Sequence, residues 1–352
     1  MENNKKNNHL EHLYGIDYLR VILCIGVVAL HSNIFSLANC YVGMDPGNPW
    51  YYRLLVYNYF WCAVPTFYTL SLFLFFRRIS SNESYIGTRL KKVVIIYIFW
   101  AIVDFILLNG GNAFNIIKSC TTYGGLLLLL MSNGTIAYFL FNLIYLTVFS
   151  ALLHLFMRKP SRWKTIAFWC LFVLSLLCMT NSIEIAAKIT GSTEFANALS
   201  YNNPALFFPY IFLAYILNKI IENVKHVKIS IIVMTIGWIG FAICDYYLRA
   251  NGLILDTRNY ESLGRISLVF ESGLLVLLSC ILSEKIKHVP LIIKKISEAS
   301  MTIYITHTII LLFIRTNFAS IGISPDGLLV FILTFSLSAI FAIVIKNVKG
   351  LI

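Results

Sequence analysis

Charged residues are scarce in this chain of 352 residues, since only 12% are Asp, Glu, Lys or Arg. Average soluble domains carry about 25% charged residues. Hydrophobic residues make up 59%, and the mean hydropathy is +0.77. So little charge cannot cover the surface of a globular protein of this length, which excludes a soluble enzyme, a disordered protein and a disulfide scaffold.

Several chemical motifs are also missing. The eight cysteines include no C-x-x-C pair, and the chain has no Gly-rich phosphate loop, no Gly-x-Ser-x-Gly elbow and no internal repeat. We therefore expect no bound metal and no second catalytic domain. The chain is predicted to be one membrane domain over residues 1–352, with a polar cytoplasmic tail at 1–15.

Long apolar runs are what the chain has instead. Runs of about 18 or more apolar residues are typical of transmembrane helices. Ten such candidates predict an all-α polytopic bundle, with spans at residues 17–37, 56–76, 90–108, 135–156, 164–181, 204–221, 229–248, 265–283, 301–316 and 327–345.

The net charge of +12 fits membrane topology, although in a soluble protein it would suggest a nucleic-acid partner. With the N-terminus in the cytoplasm, the ten spans place 21 of the 28 lysines and arginines on the cytoplasmic side. Positive residues concentrate in cytoplasmic loops. The pattern predicts two cytoplasmic termini, a multi-pass protein of the inner (plasma) membrane, contact with membrane lipid and no nucleic-acid partner.

A few ionisable side chains fall inside the predicted spans. Such a charge at the bilayer centre costs about 2.5–3.5 kcal/mol on insertion scales, and these residues usually face the bundle interior. They are His31, Asp104, Asp245, Glu271, His307 and, near an inner end, His154. His31, Asp104 and Glu271 are predicted at similar depths and could form one polar cluster. Interhelical hydrogen bonds or a proton path are the alternative explanation for the two acids.

Arg20 and His31 lie eleven positions apart on the first span. Eleven steps of about 100° make three turns plus about 20°, so the two side chains share a face about 16 Å apart along the axis. A permanent cation at the cytoplasmic end and an imidazole deep in the membrane favour a channel for a long anionic ligand. The alternative is an arginine that snorkels to the interface and a histidine that hydrogen-bonds in the core.

Arg89 and Lys92 form an i,i+3 pair at the cytoplasmic start of the third span, with Arg77, Arg78 and Lys91 nearby in sequence. Cations at a helix end can clamp phosphates. The alternative explanation for this cluster is the positive-inside rule alone.

Six motifs in order resemble the membrane acyltransferase-3 family. The opening segment 16–20, then ten residues and His31-Ser32, is similar to the family's Arg-x10-His signature. Segment 89–92 resembles its Arg-x-x-Arg helix start, and segment 300–307 its Ile-Tyr-Leu-x-His helix. The other similar segments are 64–71, 137–140 and 207–215. Departures are Leu72 for Gly, Tyr138 for Trp, Ala214 for Gly and Lys92 for the second Arg, which keeps the charge but loses the bidentate fork.

The resemblance implies an integral membrane O-acyltransferase. Such an enzyme moves an acyl group, commonly acetyl from acetyl-CoA, from cytoplasmic acyl-CoA to a hydroxyl of a glycan or lipid-linked sugar of the cell envelope. It implies that His31 is the general base or a transient acyl carrier. It also implies that Arg20, Arg89 and Lys92 hold the coenzyme A phosphates, and that His307 has a structural or substrate-positioning role.

Asp17, Asp104 and Glu271 are supporting candidates, of which Asp104 and Glu271 match no motif of the family. The alternative function is a transporter or flippase for a cell-surface polysaccharide or its lipid-linked precursor. Inverted halves and paired broken helices, which are typical of transporters, are not evident in the sequence.

Overall fold

The computed structural model describes residues 13–34, 59–108, 137–191, 203–222, 224–250 and 263–346, with isolated positions at 112, 115, 118 and 121. These described residues form α-helices, short turns and no strand. The prediction of an all-α fold is therefore confirmed. The helices in chain order are α1 Tyr14–His31, α2 Ala63–Ile79, α3 Tyr85–Leu108, α4 Tyr138–Met157, α5 Arg162–Thr180, α6 Ser182–Thr190, α7 Phe208–Ile220, α8 Val224–Ala250, α9 Ile266–Lys285, α10 Leu291–Glu298, α11 Ser300–Ser320 and α12 Leu328–Lys346.

Seven helices of the described chain are long and apolar enough to cross a membrane. They are α1, α4, α5, the part His226–Asp245 of α8, α9, α11 and α12. The other three predicted spans also fall on helices, but α2 has 17 residues and α7 has 13. Helix α3 has 24 residues and carries Arg89, Lys91, Lys92 and Asp104. The chain is therefore a multi-pass helical membrane protein, while the count of ten and the orientation of the termini stay predictions.

Helix α1 lies at the centre of the bundle. It contacts α2, α9, α10, α11 and α12. Its core-facing side chains Ile16, Leu19, Leu23 and Val27 recur every three or four residues, which places them on one buried face. Arg20 and His31 thus lie on the helix that other helices surround on most sides.

Apolar side chains also cover the outside of the bundle. On α8, Ile229, Ile236 and Ile243 are each at least 60% exposed. Their spacing of seven residues puts them on one stripe of the helix. A stripe of exposed isoleucines of this kind suits contact with lipid tails, which explains the high hydrophobic fraction noted in the sequence.

The first span ends earlier than predicted. Helix α1 ends at His31, and the chain turns through Ser32 and Asn33. Asn33 has φ +47°, a left-handed conformation that asparagine tolerates better than most residues and that commonly ends helices. His31 therefore lies at the very end of α1 and not in its middle.

Candidate active site

A cavity of about 700 Å³ lies among α1, α2, α3, α4, α10 and α11. Its walls carry five cationic side chains and two acidic ones, namely Arg20, Arg77, Arg78, Arg89, Lys92, Asp17 and Glu298. The cavity lies at the N-terminal ends of α1, α3 and α11 and the C-terminal end of α2. The charge pattern of the sequence predicts that this end faces the cytoplasm. An excess of cations makes the cavity suited to a polyanionic ligand.

Arg89 is held in a fixed position on the cavity wall. Its Nη2 donates to Ser71 Oγ at 2.7 Å, and its Nε donates to Thr147 Oγ1 at 3.4 Å. The guanidinium carbon lies 5.0 Å from the centre of the Phe75 ring. A guanidinium has five N–H donors, so these contacts leave donors free for a ligand while they fix the side chain.

Asp17 connects α1 to the short helix α10. It is 2% exposed and accepts a hydrogen bond from Ser297 Oγ at 2.6 Å. Asp17 and Glu298 both lie close enough to Arg20 to interact with it electrostatically. Glu298 also forms an ion pair with Lys346 of α12. The two acids therefore connect Arg20 and the ends of α1, α10 and α12 that lie beside the cavity.

His31 and His307 lie side by side at the other end of the same face of α1. Their ring centroids are 5.2 Å apart and the rings are tilted by 49°. His307 is fully buried, and its Nδ1 lies 3.3 Å from Ile303 O. His307 Nε2 has no hydrogen-bond partner among the described residues. Residue His31 is exposed at the end of α1, whereas His307 is buried.

Three aromatic rings separate the cavity from this histidine pair. Phe67, Phe139 and Tyr304 all line the cavity. The Tyr304 ring lies 4.6 Å from that of Phe139, 6.0 Å from that of Phe67 and 5.9 Å from that of His307. A ligand that extends from the basic cavity to the histidines must therefore pass these rings.

The two buried acids of the predicted cluster lie in other surroundings. The charge of Glu271 interacts with Arg265 and Cys62, whereas the charged neighbour of His31 is Arg315. Asp104 is buried on α3, four turns beyond Arg89 on the same helix. Among the described residues, the aromatic ring that lies against His31 is that of His307.

The sequence did not predict the residues that bind the backbone carbonyl of His31. Arg315 Nη2 donates to the carbonyl oxygen of His31 at 2.7 Å, and Asp326 binds the same guanidinium. Arg315 is the second-last residue of the predicted span 301–316. An arginine at a span end can snorkel to the interface, so its position in the sequence does not indicate the contact with His31.

These features define a class: a multi-pass membrane protein with a basic cavity at one end of its central helix and a histidine pair at the other. The family model of the acyltransferase-3 family, described as an acyltransferase domain, matches residues 13–346. The chain therefore belongs to this family of membrane acyltransferases. Searches of curated proteins and of solved structures gave no significant match.

Proposed function

We propose that the protein transfers an acyl group, expected to be acetyl, from cytoplasmic acyl-CoA to a hydroxyl of a glycan or lipid-linked sugar. One observation carries this proposal. Arg20 and Arg89, which are far apart in sequence, line one cavity. His31 lies on the same helix as Arg20, three turns further along.

The basic cavity suits the nucleotide end of the donor. Coenzyme A carries several phosphate charges, and the walls offer five cations against two acids. A volume of about 700 Å³ lies within the usual range for ligand sites, about 300–1,000 Å³. Arg89 and Arg20 supply charge-assisted hydrogen bonds to phosphate oxygens, which are stronger than neutral ones. Lys92 adds a third positive charge one turn along α3 from Arg89.

The pantetheine arm then runs along α1 toward His31. Arg20 and His31 are separated by about 16 Å along the helix axis, a distance that only an extended ligand bridges. The arm passes the rings of Phe67, Phe139 and Tyr304. This layer keeps the thioester away from bulk water on the cytoplasmic side until it reaches the histidine pair.

His31 supports two routes of transfer. In the direct route, His31 takes the proton of the acceptor hydroxyl while that oxygen attacks the thioester carbonyl and coenzyme A leaves as the thiolate. In the relay route, the imidazole attacks the thioester carbonyl and coenzyme A leaves as the thiolate. The acceptor oxygen then attacks the acyl-imidazole, the acyl–nitrogen bond breaks, and the released imidazole takes the hydroxyl proton. Protein incubated with labelled acetyl-CoA and no acceptor retains label only in the relay route.

The acyl content of cell-surface glycans tests the proposal. Cells that lack the protein are compared with cells that carry the wild type or His31→Ala. We expect the glycan to remain at the surface without its acyl groups, and only the wild type to restore them. Disappearance of the whole glycan would instead support the transporter alternative, and full acylation by His31→Ala would remove His31 from the mechanism.

A further inference from the structure

The end of α1 leaves two backbone carbonyls without a partner from the helix itself. The last four carbonyls of a helix have no intrahelical donor and need other ones. Ile34 N donates to Ala29 O at 3.2 Å, and Asn33 N donates to Leu30 O at 3.3 Å. This pair of bonds, with Asn33 in the left-handed region, is a Schellman motif. It satisfies the first two carbonyls and leaves those of His31 and Ser32.

The connection between α11 and α12 supplies both missing donors. Arg315 Nη2 donates to His31 O at 2.7 Å, and Gly327 N donates to Ser32 O at 3.0 Å. Asp326 accepts from Arg315 Nε at 3.0 Å and from Nη2 at 2.5 Å. One ion pair and one backbone amide from a neighbouring hairpin thus complete the end of the helix that carries His31.

Helix α11 therefore contacts His31 at two points. His307 lies against its imidazole ring, and Arg315 binds its carbonyl oxygen. The Arg315 side chain is about one-third exposed and that of Asp326 about one-quarter, so the pair is shielded from water on most sides. Arg315 also places a cation at the negative end of the α1 dipole.

We propose that Arg315, held by Asp326, is a positioning residue that fixes His31 for acyl transfer; this inference rests on the proposed function. Arg315 does not line the donor cavity. It acts through the backbone of His31, which sets where the imidazole lies relative to the thioester and to His307. Loss of the pair frees the last turn of α1, and a misplacement of about 1 Å costs about 100-fold in rate.

The experiment compares Arg315→Lys, Arg315→Gln and Asp326→Asn in the full-length protein. Arg158→Gln is the matched control, because Arg158 forms an exposed ion pair with Glu83 in another connection. Binding of acetyl-CoA is measured at equilibrium. Transfer from acetyl-CoA to glycan extracted from cells lacking the protein gives kcat and KM.

We expect kcat to fall about 10-fold to 100-fold in the Arg315 and Asp326 variants, with acetyl-CoA affinity within about twofold of wild type. Arg315→Lys keeps the charge, but an ammonium group cannot bind Asp326 and the His31 carbonyl oxygen together as the planar guanidinium does. The kcat of Arg315→Lys should therefore lie between those of the wild type and Arg315→Gln. Arg158→Gln should match the wild type.

Three outcomes would overturn the inference. They are an unchanged kcat in Arg315→Lys and Asp326→Asn, an equal loss in Arg158→Gln, or a loss of acetyl-CoA binding in proportion to kcat, which indicates a general folding defect. If Arg315→Gln does not fold, the other two variants decide the question. Failure of the proposed function is a different result, because the wild type itself would then transfer no acyl group.

Discussion

Arg89 illustrates how one side chain is prepared for a ligand before the ligand binds. Ser71 and Thr147 bind its guanidinium from two other helices, and Phe75 lies against it. Less side-chain freedom is then lost on binding, which favours affinity. Lys92 lies on the same cavity wall and is exposed. Its ammonium group therefore attracts an anionic ligand but orients it less than a guanidinium does.

Replacement of Arg89 by lysine tests this difference. Lysine keeps the positive charge but loses the planar fork that reaches Ser71, Thr147 and a phosphate together. We expect the KM for acetyl-CoA to rise about tenfold, equivalent to about 1.4 kcal/mol, with kcat nearly unchanged. Lys91→Gln is the control, since Lys91 is exposed and does not line the cavity. Equal effects of the two changes would show that only the general positive charge of this helix end matters.

The sequence could predict the relative positions of site residues only where those residues lie on one regular helix. The eleven-residue spacing places Arg20 and His31 on one face because α-helical geometry is uniform. The contact of His31 with His307 depends on how α1 and α11 pack, which spacing along one helix cannot give. For the same reason, similar depth on separate helices cannot tell whether Asp104 or Glu271 contacts His31.

At the scale of the helix, close packing of α1 against α9 depends on Gly15. A Cβ at this position would lie 2.0 Å from the carbonyl oxygen of Ser279. Gly15 N also donates to Ser283 Oγ at 2.8 Å. The backbones of the two helices therefore meet only because residue 15 has no side chain, as is common where membrane helices pack closely.

Gly15→Ala should therefore destabilise the protein. Because the clash is with backbone, α1 must move away from α9, at a cost of about 1–3 kcal/mol. Gly87→Ala in α3 is the matched control, since nothing lies within 4 Å of its Cβ position, and alanine is the better helix former by about 1 kcal/mol. Thermal unfolding in detergent should show a lower Tm for Gly15→Ala and an unchanged or higher Tm for Gly87→Ala. Equal Tm values would contradict the close packing described here.

Element boundaries were harder to predict than element type. All ten predicted spans fall on helices of the described residues, because long apolar runs have a strong compositional signal. The short helices α6 and α10 match no predicted span. The end of α1 at His31 depends on the conformation of Asn33 and on donors from the α11–α12 connection. Those donors lie nearly 300 residues further along the sequence, and tertiary packing brings them to the end of α1. No local sequence pattern therefore marks the helix end.

At the scale of the whole molecule, the excess of basic residues has two roles. Most of the lysines and arginines are predicted to follow the positive-inside pattern. A subset lines the cavity, namely Arg20, Arg77, Arg78, Arg89 and Lys92. Both roles require this end of the bundle to face the cytoplasm, where acyl-CoA is present. The orientation of the chain is therefore part of the functional argument.

Labelling of single introduced cysteines tests this orientation. The connection 80–84 lies at the cavity end of α2 and α3, whereas the connection 321–327 lies at the opposite end, near His31. In a background without native cysteines, Ser324→Cys should react with a membrane-impermeant maleimide in intact cells, and Ser81→Cys only after permeabilisation. The reverse pattern would place the cavity outside the cell and exclude cytoplasmic acyl-CoA as its ligand.

The central claim is that His31 transfers an acyl group delivered by the basic cavity, and the most direct measurement uses purified protein. Wild type and His31→Ala are given labelled acetyl-CoA and the glycan from cells lacking the protein. We expect label on the glycan with the wild type. His31→Ala should transfer about 100-fold to 10,000-fold more slowly, the usual contribution of a general base, while it binds acetyl-CoA with unchanged affinity. Transfer by His31→Ala at the wild-type rate would contradict the claim.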